Sequence, residues 1–383
     1  MNALESKLPR VGTTIFTVMT RLAEKHGAVN LSQGFPDFQP PARLVELVAR
    51  HLTAGRNQYA PMPGAVALRE AIAGKLRGLY GVHADPEEEI TITSGATEAL
   101  FCAINAVVRP GDEVVVFDPA YDSYDPSITL AGGRTVHVPL AGQAFAIDWE
   151  RVEDSLSDRT RLVIVNSPHN PSGAVLSSAD LDRLAALLRP YGCYVLSDEV
   201  YEHIVFDGAK HATILAHAEL AERSFAVFSF GKTYHATGWK TGYCVAPRAL
   251  SAELRRVHQY VTFASVTPLQ HALADYIVEC PEHYLGLPEF YAAKRDRFIE
   301  LLSGTRFRLA PSRGTYFQLA DYGAISDEPD VEFARRLTVE HGVAVIPISV
   351  FYDEPIENAR LVRFCFAKEN ATLDAAAKRL ADV

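Results

Sequence analysis

Short apolar runs recur along the first 250 residues, and a polar cluster closes each one. Glu89–Thr93, Val114–Phe117, Arg161–Val165, Tyr194–Leu196 and Phe225–Phe228 read as strands. Runs this apolar suit strands covered on both faces of a mostly parallel sheet. Helical spacing lies between them, over Glu98–Val108 and Ser177–Leu188. The pattern predicts an α/β unit, a mostly parallel sheet between helices. The rhythm changes near Pro281. A long helix is expected over Pro281–Leu302. Strands are expected at Thr315–Leu319, Val343–Ile346 and Leu361–Cys365, with helices at Val331–His341 and Leu373–Leu380. This mixture suggests a smaller α+β domain. Residues 1–40 are taken as an N-terminal arm and part of that small domain, 41–280 as the large domain and 281–383 as the C-terminal small domain. No Gly/Ser linker marks either border.

Composition narrows the function classes. The 383 residues carry 37 Lys+Arg against 47 Asp+Glu, a formal charge of −10, with 48% apolar and 22% charged residues. That is a globular composition with material for a large core, and the length allows two or three domains. The acid excess speaks against a nucleic-acid binder, whose affinity rests on basic side chains. The longest apolar stretches are broken by Asn, Arg, Pro or Asp and fall short of the ~18 residues of a membrane span. The start, MNALESKLPRVGTTIF, lacks the basic-then-apolar pattern of a signal peptide. Cys102, Cys193, Cys244, Cys280 and Cys365 are odd in number and contain no CxxC. They read as reduced, mostly buried thiols of a cytoplasmic protein.

The polar clusters at the strand ends are SGAT, DPAYDSY, NSPHNPSG, SDEVYEH and SFGKTYH. Ligands of open α/β sheets sit at the carboxyl ends of strands, so a site is expected there. Gly231-Lys232-Thr233 resembles the end of a phosphate-binding loop, but Ala226 stands where that loop needs its first glycine. No G-x-G-x-x-G joins a strand to a helix, so dinucleotide binding is not supported either. A lysine at the mouth of a sheet suits a Schiff base with an aldehyde cofactor, of which pyridoxal phosphate is the common one. That cofactor needs a carboxylate for its ring nitrogen, a donor for its phenolate oxygen, an aromatic face, and a cradle for its phosphate. Asp198, Tyr201 with Asn170, and Tyr121 meet the first three needs. Backbone amides at Ser94-Gly95-Ala96-Thr97, with Ser229 and Lys240, could meet the last.

Each residue also has a plainer reading. Asp and Asn at strand ends are often caps or turn formers. Thr97 could be a cap and Tyr121 core. Asp198, Glu199, Glu202 and His203 could bind a metal, but they fit no common ligand spacing. Only together do the residues complete one site.

These blocks resemble the class I/II aminotransferases of pyridoxal-phosphate fold type I. SFGKTYHATGWKTGY resembles the Schiff-base lysine motif. LSQGFPDFQPP, NQYAPMPGAVALREAIA, SGATEAL, NSPHNPSGAV, SDEVYEHIVFDG and LVRFCFAK follow the family's order over nearly the whole chain. Within the family the chain is most similar to bacterial methionine aminotransferases and kynurenine–oxoglutarate (glutamine) transaminases. The resemblance implies Lys232 as Schiff-base lysine and proton shuttle, Asp198 at the pyridinium, and Tyr201 and Asn170 at the phenolate oxygen. It implies Tyr121 against the ring, and Gly95, Ala96, Thr97, Ser229 and Lys240 around the phosphate. Tyr59 would reach the phosphate of a neighbouring subunit, which implies a homodimer with shared active sites. Arg363 would clamp the substrate carboxylate, helped by Asn170 and the backbone at Gly34.

Lys240 departs from the arginine of many members. It keeps the charge and loses the planar fork, and the kynurenine-type branch shares it. No second arginine for a distal carboxylate is identifiable. Phe16, Tyr59, Phe263 and Phe351 are candidate pocket walls that would favour methionine, aromatic or glutamine-type side chains over aspartate, although ordinary core packing would also account for them. The expected reaction is ping-pong transfer of an amino group from such an amino acid to a 2-oxo acid. The alternative is a C–S β-lyase on the same fold. A regulator's sensor domain is disfavoured because the enzyme-like blocks begin by about Leu31, which leaves no room for a DNA-binding domain.

Overall fold

The computed structural model describes residues 5–354, 356 and 360–383. The first four residues of the expected arm lie outside these. A two-residue strand, β1 (Val29–Asn30), precedes a seven-stranded sheet. The sheet contains β2 (Ile90–Thr93), β3 (Glu113–Asp118), β4 (Arg134–Pro139), β5 (Thr160–Asn166), β6 (Tyr194–Asp198), β7 (Ser224–Ser229) and β8 (Gly242–Val245). Its order is β2-β8-β7-β6-β5-β3-β4. The pairings from β4 through β7 are parallel, whereas β8 runs antiparallel to both β7 and β2.

Both faces of this sheet are covered, which explains the unbroken apolar runs. Val163 and Val165 of β5 point into a core built with helices Val66–Tyr80, Ser178–Leu188 and Thr267–Glu279. Leu162 and Ile164 point the other way, toward helices Ala96–Val107 and Arg248–Val261. The period of two thus feeds two separate cores from one strand.

The last third builds on β9 (Phe317–Asp321), β10 (Val343–Ala344), β11 (Ile346–Pro347) and β12 (Leu361–Cys365). β12 pairs antiparallel with β11 and β9, and β10 pairs in parallel with β1. Residues near 30 therefore join the C-terminal third. A third core forms there around Phe298, Phe333, Phe364 and Leu373.

Several elements differ from the sequence expectation. The long helix splits at Gly286 into Pro281–Leu285 and Leu287–Leu302. Pro288 has no N–H for the carbonyl four residues back and its ring crowds that carbonyl, so the first helix cannot continue. The 343–346 strand is two strands, because the chain leaves one sheet for another at Val345. The 315–319 strand starts only at Phe317. Thr315 has φ 64 and donates its N–H to the Ile204 carbonyl at 2.9 Å, outside the ladder. β4 and β8 were not expected. β4 is a half-exposed edge strand, and β8 is only four residues long.

Candidate active site

The carboxyl ends of β2, β3, β5, β6 and β7 converge on a cavity of about 290 Å³. Antiparallel β8 brings its amino end, with Lys240 and Thr241, to the same place. Of the expected cofactor and substrate residues, all but Tyr59, Phe263 and Phe351 line this cavity, and Phe351 is buried behind Phe16, its ring centre 6.0 Å away.

Lys232 lies on the short helix Phe230–Thr233 that follows β7. Its Nζ donates to the Gly34 carbonyl at 3.0 Å and to the Tyr316 hydroxyl at 2.9 Å. Tyr316 in turn donates to the same carbonyl at 2.6 Å. Burial lowers the Lys232 pKa to about 8, with the charges of Arg363 and Lys240 pushing the same way. An amine so placed is neutral often enough near pH 8 to act as nucleophile and base.

Asp198 ends β6 and is 3% exposed. Tyr124 donates to its Oδ2 at 2.8 Å, and the Val200 amide reaches Oδ1 at only 3.4 Å. Burial raises its pKa to about 6 despite these donors. A buried carboxylate this poorly compensated favours a cationic N–H partner. Tyr201 stands one turn on, buried edge-to-face against Tyr316 and Phe317. Tyr121 closes another wall, with its pKa raised to about 12 by burial.

The cradle is the start of helix Ala96–Val107. Gly95 is its N-cap at φ 79, with no side chain bonded to the cap amides. A Cβ on Gly95 would lie 3.5 Å from the Lys240 Nζ, so the ammonium faces those amides. Free amides, a helix dipole and a lysine on one spot suit a phosphate dianion. Ser229 ends β7 on the same cavity.

Arg363 on β12 is 1% exposed. Nη1 donates to Asn170 Oδ1 at 2.6 Å and Nη2 to the Ser32 carbonyl at 3.1 Å. Its guanidinium carbon lies 3.9 Å from the centre of the Phe317 ring and 5.4 Å from that of Phe16. The buried Nε has no partner among the described residues. A buried unpaired donor on a cation is costly unless an anion meets it. Because the Asn170 Oδ1 is engaged by Arg363, its Nδ2 is left to donate into the cavity.

Tyr59 and Phe263 pack edge-to-face on each other, 5.3 Å apart, away from this cavity; Tyr59 is 84% exposed. The residues weighed as a metal cluster do not converge on one point, although His203 Nε2 lies 3.3 Å from Glu202 Oε1 beside Lys75. Asp198 faces the cavity, Glu199 bonds His211 at 2.6 Å, and Glu202 bonds Lys75 at 2.5 Å. Tyr124, Asn166, Tyr316 and Phe317 are site residues that sequence reasoning passed over. Tyr124 and Asn166 lie inside the quoted polar clusters, and Asn166 accepts the Asn170 amide while its own amide donates to the Asp198 carbonyl. Tyr316 carried no polar-cluster signal.

This arrangement belongs to a known class of enzyme. The family model for aminotransferase class I and II matches residues 26–380, and the chain belongs to that family. The fold is that of the fold type I pyridoxal-phosphate-dependent transferases, and the protein is an aminotransferase. Methionine aminotransferase from Escherichia coli is 56% identical, over 98% of this chain and 97% of its own. Probable N-succinyldiaminopimelate aminotransferase DapC from Mycobacterium tuberculosis is 40% identical over 98% and 97%. Mouse kynurenine–oxoglutarate transaminase 1 is 34% identical over 94% and 93%. The crystal structure of Escherichia coli YbdL, for which a methionine aminotransferase function was identified, superposes with TM-score 0.98 at 55% identity over 100% of both chains.

Proposed function

We propose that the protein is a pyridoxal-phosphate-dependent methionine aminotransferase that also accepts aromatic or glutamine-type amino acids. The observation that carries the reading is the shared cavity of Lys232, the under-compensated Asp198 carboxylate and Arg363 with its unpaired Nε. These residues fit the cofactor. Lys232 would hold its aldehyde carbon, Asp198 its ring nitrogen, Tyr201 and the Asn170 amide its phenolate oxygen, and Tyr121 its ring face. The amides of Ala96 and Thr97, opened to the cavity by Gly95, whose own N–H donates to the Thr93 carbonyl at 2.8 Å, would hold its phosphate with Ser229 and Lys240. Bound there, pyridoxal phosphate supplies a carbonyl for the substrate amine and a ring that takes up carbanion electrons. The protein's own part is binding and proton handling. Arg363 receives the substrate carboxylate on its free Nε edge, with the Gly34 backbone beside it. The Lys232 Nζ, once free, takes the substrate α-proton and gives it back at the neighbouring carbon position.

Phe16 and Phe317 flank Arg363 on the cavity wall. A thioether packs well on such rings, which favours methionine, and no cation among the described cavity residues beyond Lys232, Lys240 and Arg363 is placed to take a distal carboxylate. The 56% identity to a methionine aminotransferase supports the same choice. We read residues 1–40 with 281–383 as a carboxylate-clamping unit and 41–280 as the cofactor unit.

The exposed Tyr59–Phe263 pair, with Tyr260 and Val266 exposed near it, supports a homodimer in which Tyr59 completes the neighbour's site. Buried free thiols and the lack, among the described residues, of a helix long and apolar enough to cross a membrane support a cytoplasmic home.

The test is the absorbance spectrum of the purified protein with Met, Phe, Gln, Asp and Lys added in turn. Met should bleach the yellow form fastest, and Lys232→Ala should not turn over at all. Faster bleaching by Asp than by Met would reject the specificity. Pyruvate and thiol released from cystathionine without a 2-oxo acceptor would favour the β-lyase.

A further inference from the structure

Behind the cradle lies a buried pair that the proposed chemistry leaves unused. Glu98 stands in the first turn of helix Ala96–Val107, and its carboxylate folds back beneath the cradle. Oε2 accepts the Ser94 amide at 2.5 Å, and Oε1 lies 2.5 Å from the Nδ1 of His258. His258 comes from helix Arg248–Val261 and is fully buried. Its Nε2 lies 3.1 Å from the Met62 carbonyl oxygen, which can only accept. Burial pushes the Glu98 carboxyl up, but His258 and the Ser94 amide outweigh it and hold it below the usual range. Both ring nitrogens are thus engaged, Nε2 with a carbonyl and Nδ1 with the Glu98 carboxyl. Charge-assisted bonds of this kind, out of water, fix geometry more firmly than neutral ones.

Two segments far apart in sequence are thereby fastened. On one side is Ser94, the residue before the Gly95 cap. On the other is the turn around Met62, whose Pro63 carbonyl accepts the Ile92 amide of β2 at 2.9 Å and whose Ala65 amide donates to Gln270 at 2.7 Å. The Ser94 amide, turned toward Glu98, sets the direction in which the next amides point. Nothing else among the hydrogen bonds of the described residues ties the Ser94 amide down. The pair thus acts on the cradle through Ser94, without touching the cavity itself.

We propose that Glu98 and His258 are positioning residues of the phosphate cradle, holding its backbone amides in register by anchoring them to the Met62 turn. The proposal rests on the reading that the cradle binds the phosphate of pyridoxal phosphate. The test uses holoenzyme of the wild type, Glu98→Gln and His258→Gln. The first variant keeps the volume but turns an acceptor into a donor that faces another donor. Two readouts are taken besides turnover, namely the rate of pyridoxal phosphate loss on dialysis and the ³¹P resonance of the bound phosphate. Cofactor loss should be about tenfold faster, as expected for a lost charge-assisted bond. The ³¹P line should move while the absorbance band of the ring beside Asp198 stays in place. Variants that fold and match the wild type in both readouts would overturn the proposal alone. A wild type that retains no pyridoxal phosphate would overturn the cofactor reading and the proposal with it. Failure of both variants to fold would also overturn it, by assigning the pair to the stability of the helices rather than to the cradle.

Discussion

Lys232 and Asp198 are displaced from their ordinary pKa values by the same cause, removal from water, and in opposite directions. For Lys232 the neutral amine gains, and its pKa falls to about 8. Capture of pyridoxal phosphate by cofactor-stripped protein should accelerate through pH 8 and level off above it. An ordinary lysine would go on gaining to about pH 10, so a stopped-flow rate still climbing there contradicts the assignment. For Asp198 the protonated form gains in the fold, up to about pH 6. Between the unfolded value near 4 and that of the fold, the native state binds the extra proton, so stability falls as pH rises. The full cost, on the order of 3 kcal/mol, is present above pH 6 and absent below about 4. Asp198→Asn should therefore melt higher than wild type at pH 7.5 when both are stripped, and lose that advantage near pH 4, while its turnover collapses. Calorimetry at the two pH values checks this. Tyr316 makes a different point. Its hydroxyl touches the Lys232 Nζ, yet it sits 84 residues away in the chain and inside a strand-like run. Lys232, Asp198 and Asn170 were legible because the cofactor's chemistry demands their functional groups at strand ends. Tyr316 and Tyr124 serve only by reaching such a group in space, which spacing along the chain does not encode. Tyr316→Phe should lower kcat by about tenfold, the worth of one well-made hydrogen bond, with little change in KM. Steady-state kinetics on methionine tests it.

At the scale of elements, the strands of the large sheet read from the sequence were those buried on both faces, where most positions are apolar. The edge strand β4 mixes Arg134 and His137 with valines and gave no such run. β8 escaped notice for a related reason, since its four residues begin with a glycine that looks like loop. Gly242 is there because of packing. A Cβ at that position would fall 2.6 Å from the Phe228 carbonyl oxygen and 2.8 Å from the Ala96 amide nitrogen. Both are backbone atoms, one in β7 and the other in the cradle, and neither can swing aside. Gly242→Ala should cost ~1–3 kcal/mol by overpacking and loosen cofactor binding in the same variant. Denaturant unfolding and dialysis measure the two effects, and a variant as stable as wild type would show that β8 can shift. The broken helix at Gly286 was legible after all, since Pro288 marks it, but helical periodicity on both sides concealed the break.

At the scale of the whole molecule, the net charge of −10 and the cations Lys232, Lys240 and Arg363 gathered in one cavity are compatible, because a binding site responds to its local field rather than to the sum over the chain. The exposed Tyr59–Phe263 pair is where the proposed homodimer is tested. If Tyr59 serves the neighbour's phosphate, a site takes Lys232 from one subunit and Tyr59 from the other. Tyr59→Ala and Lys232→Ala homodimers would then each be impaired in both sites. In a hybrid dimer, two-fold symmetry puts both lesions in one site and leaves the other with an intact lysine and an intact tyrosine. Refolding the two variants together in equal amounts should therefore recover activity, to about a quarter of wild type, because half the dimers are hybrids with one good site each. If both groups of a site came from the same chain, every site would carry one lesion. Mixing would then yield only the average of the two variants, an outcome that would remove Tyr59 from the shared site.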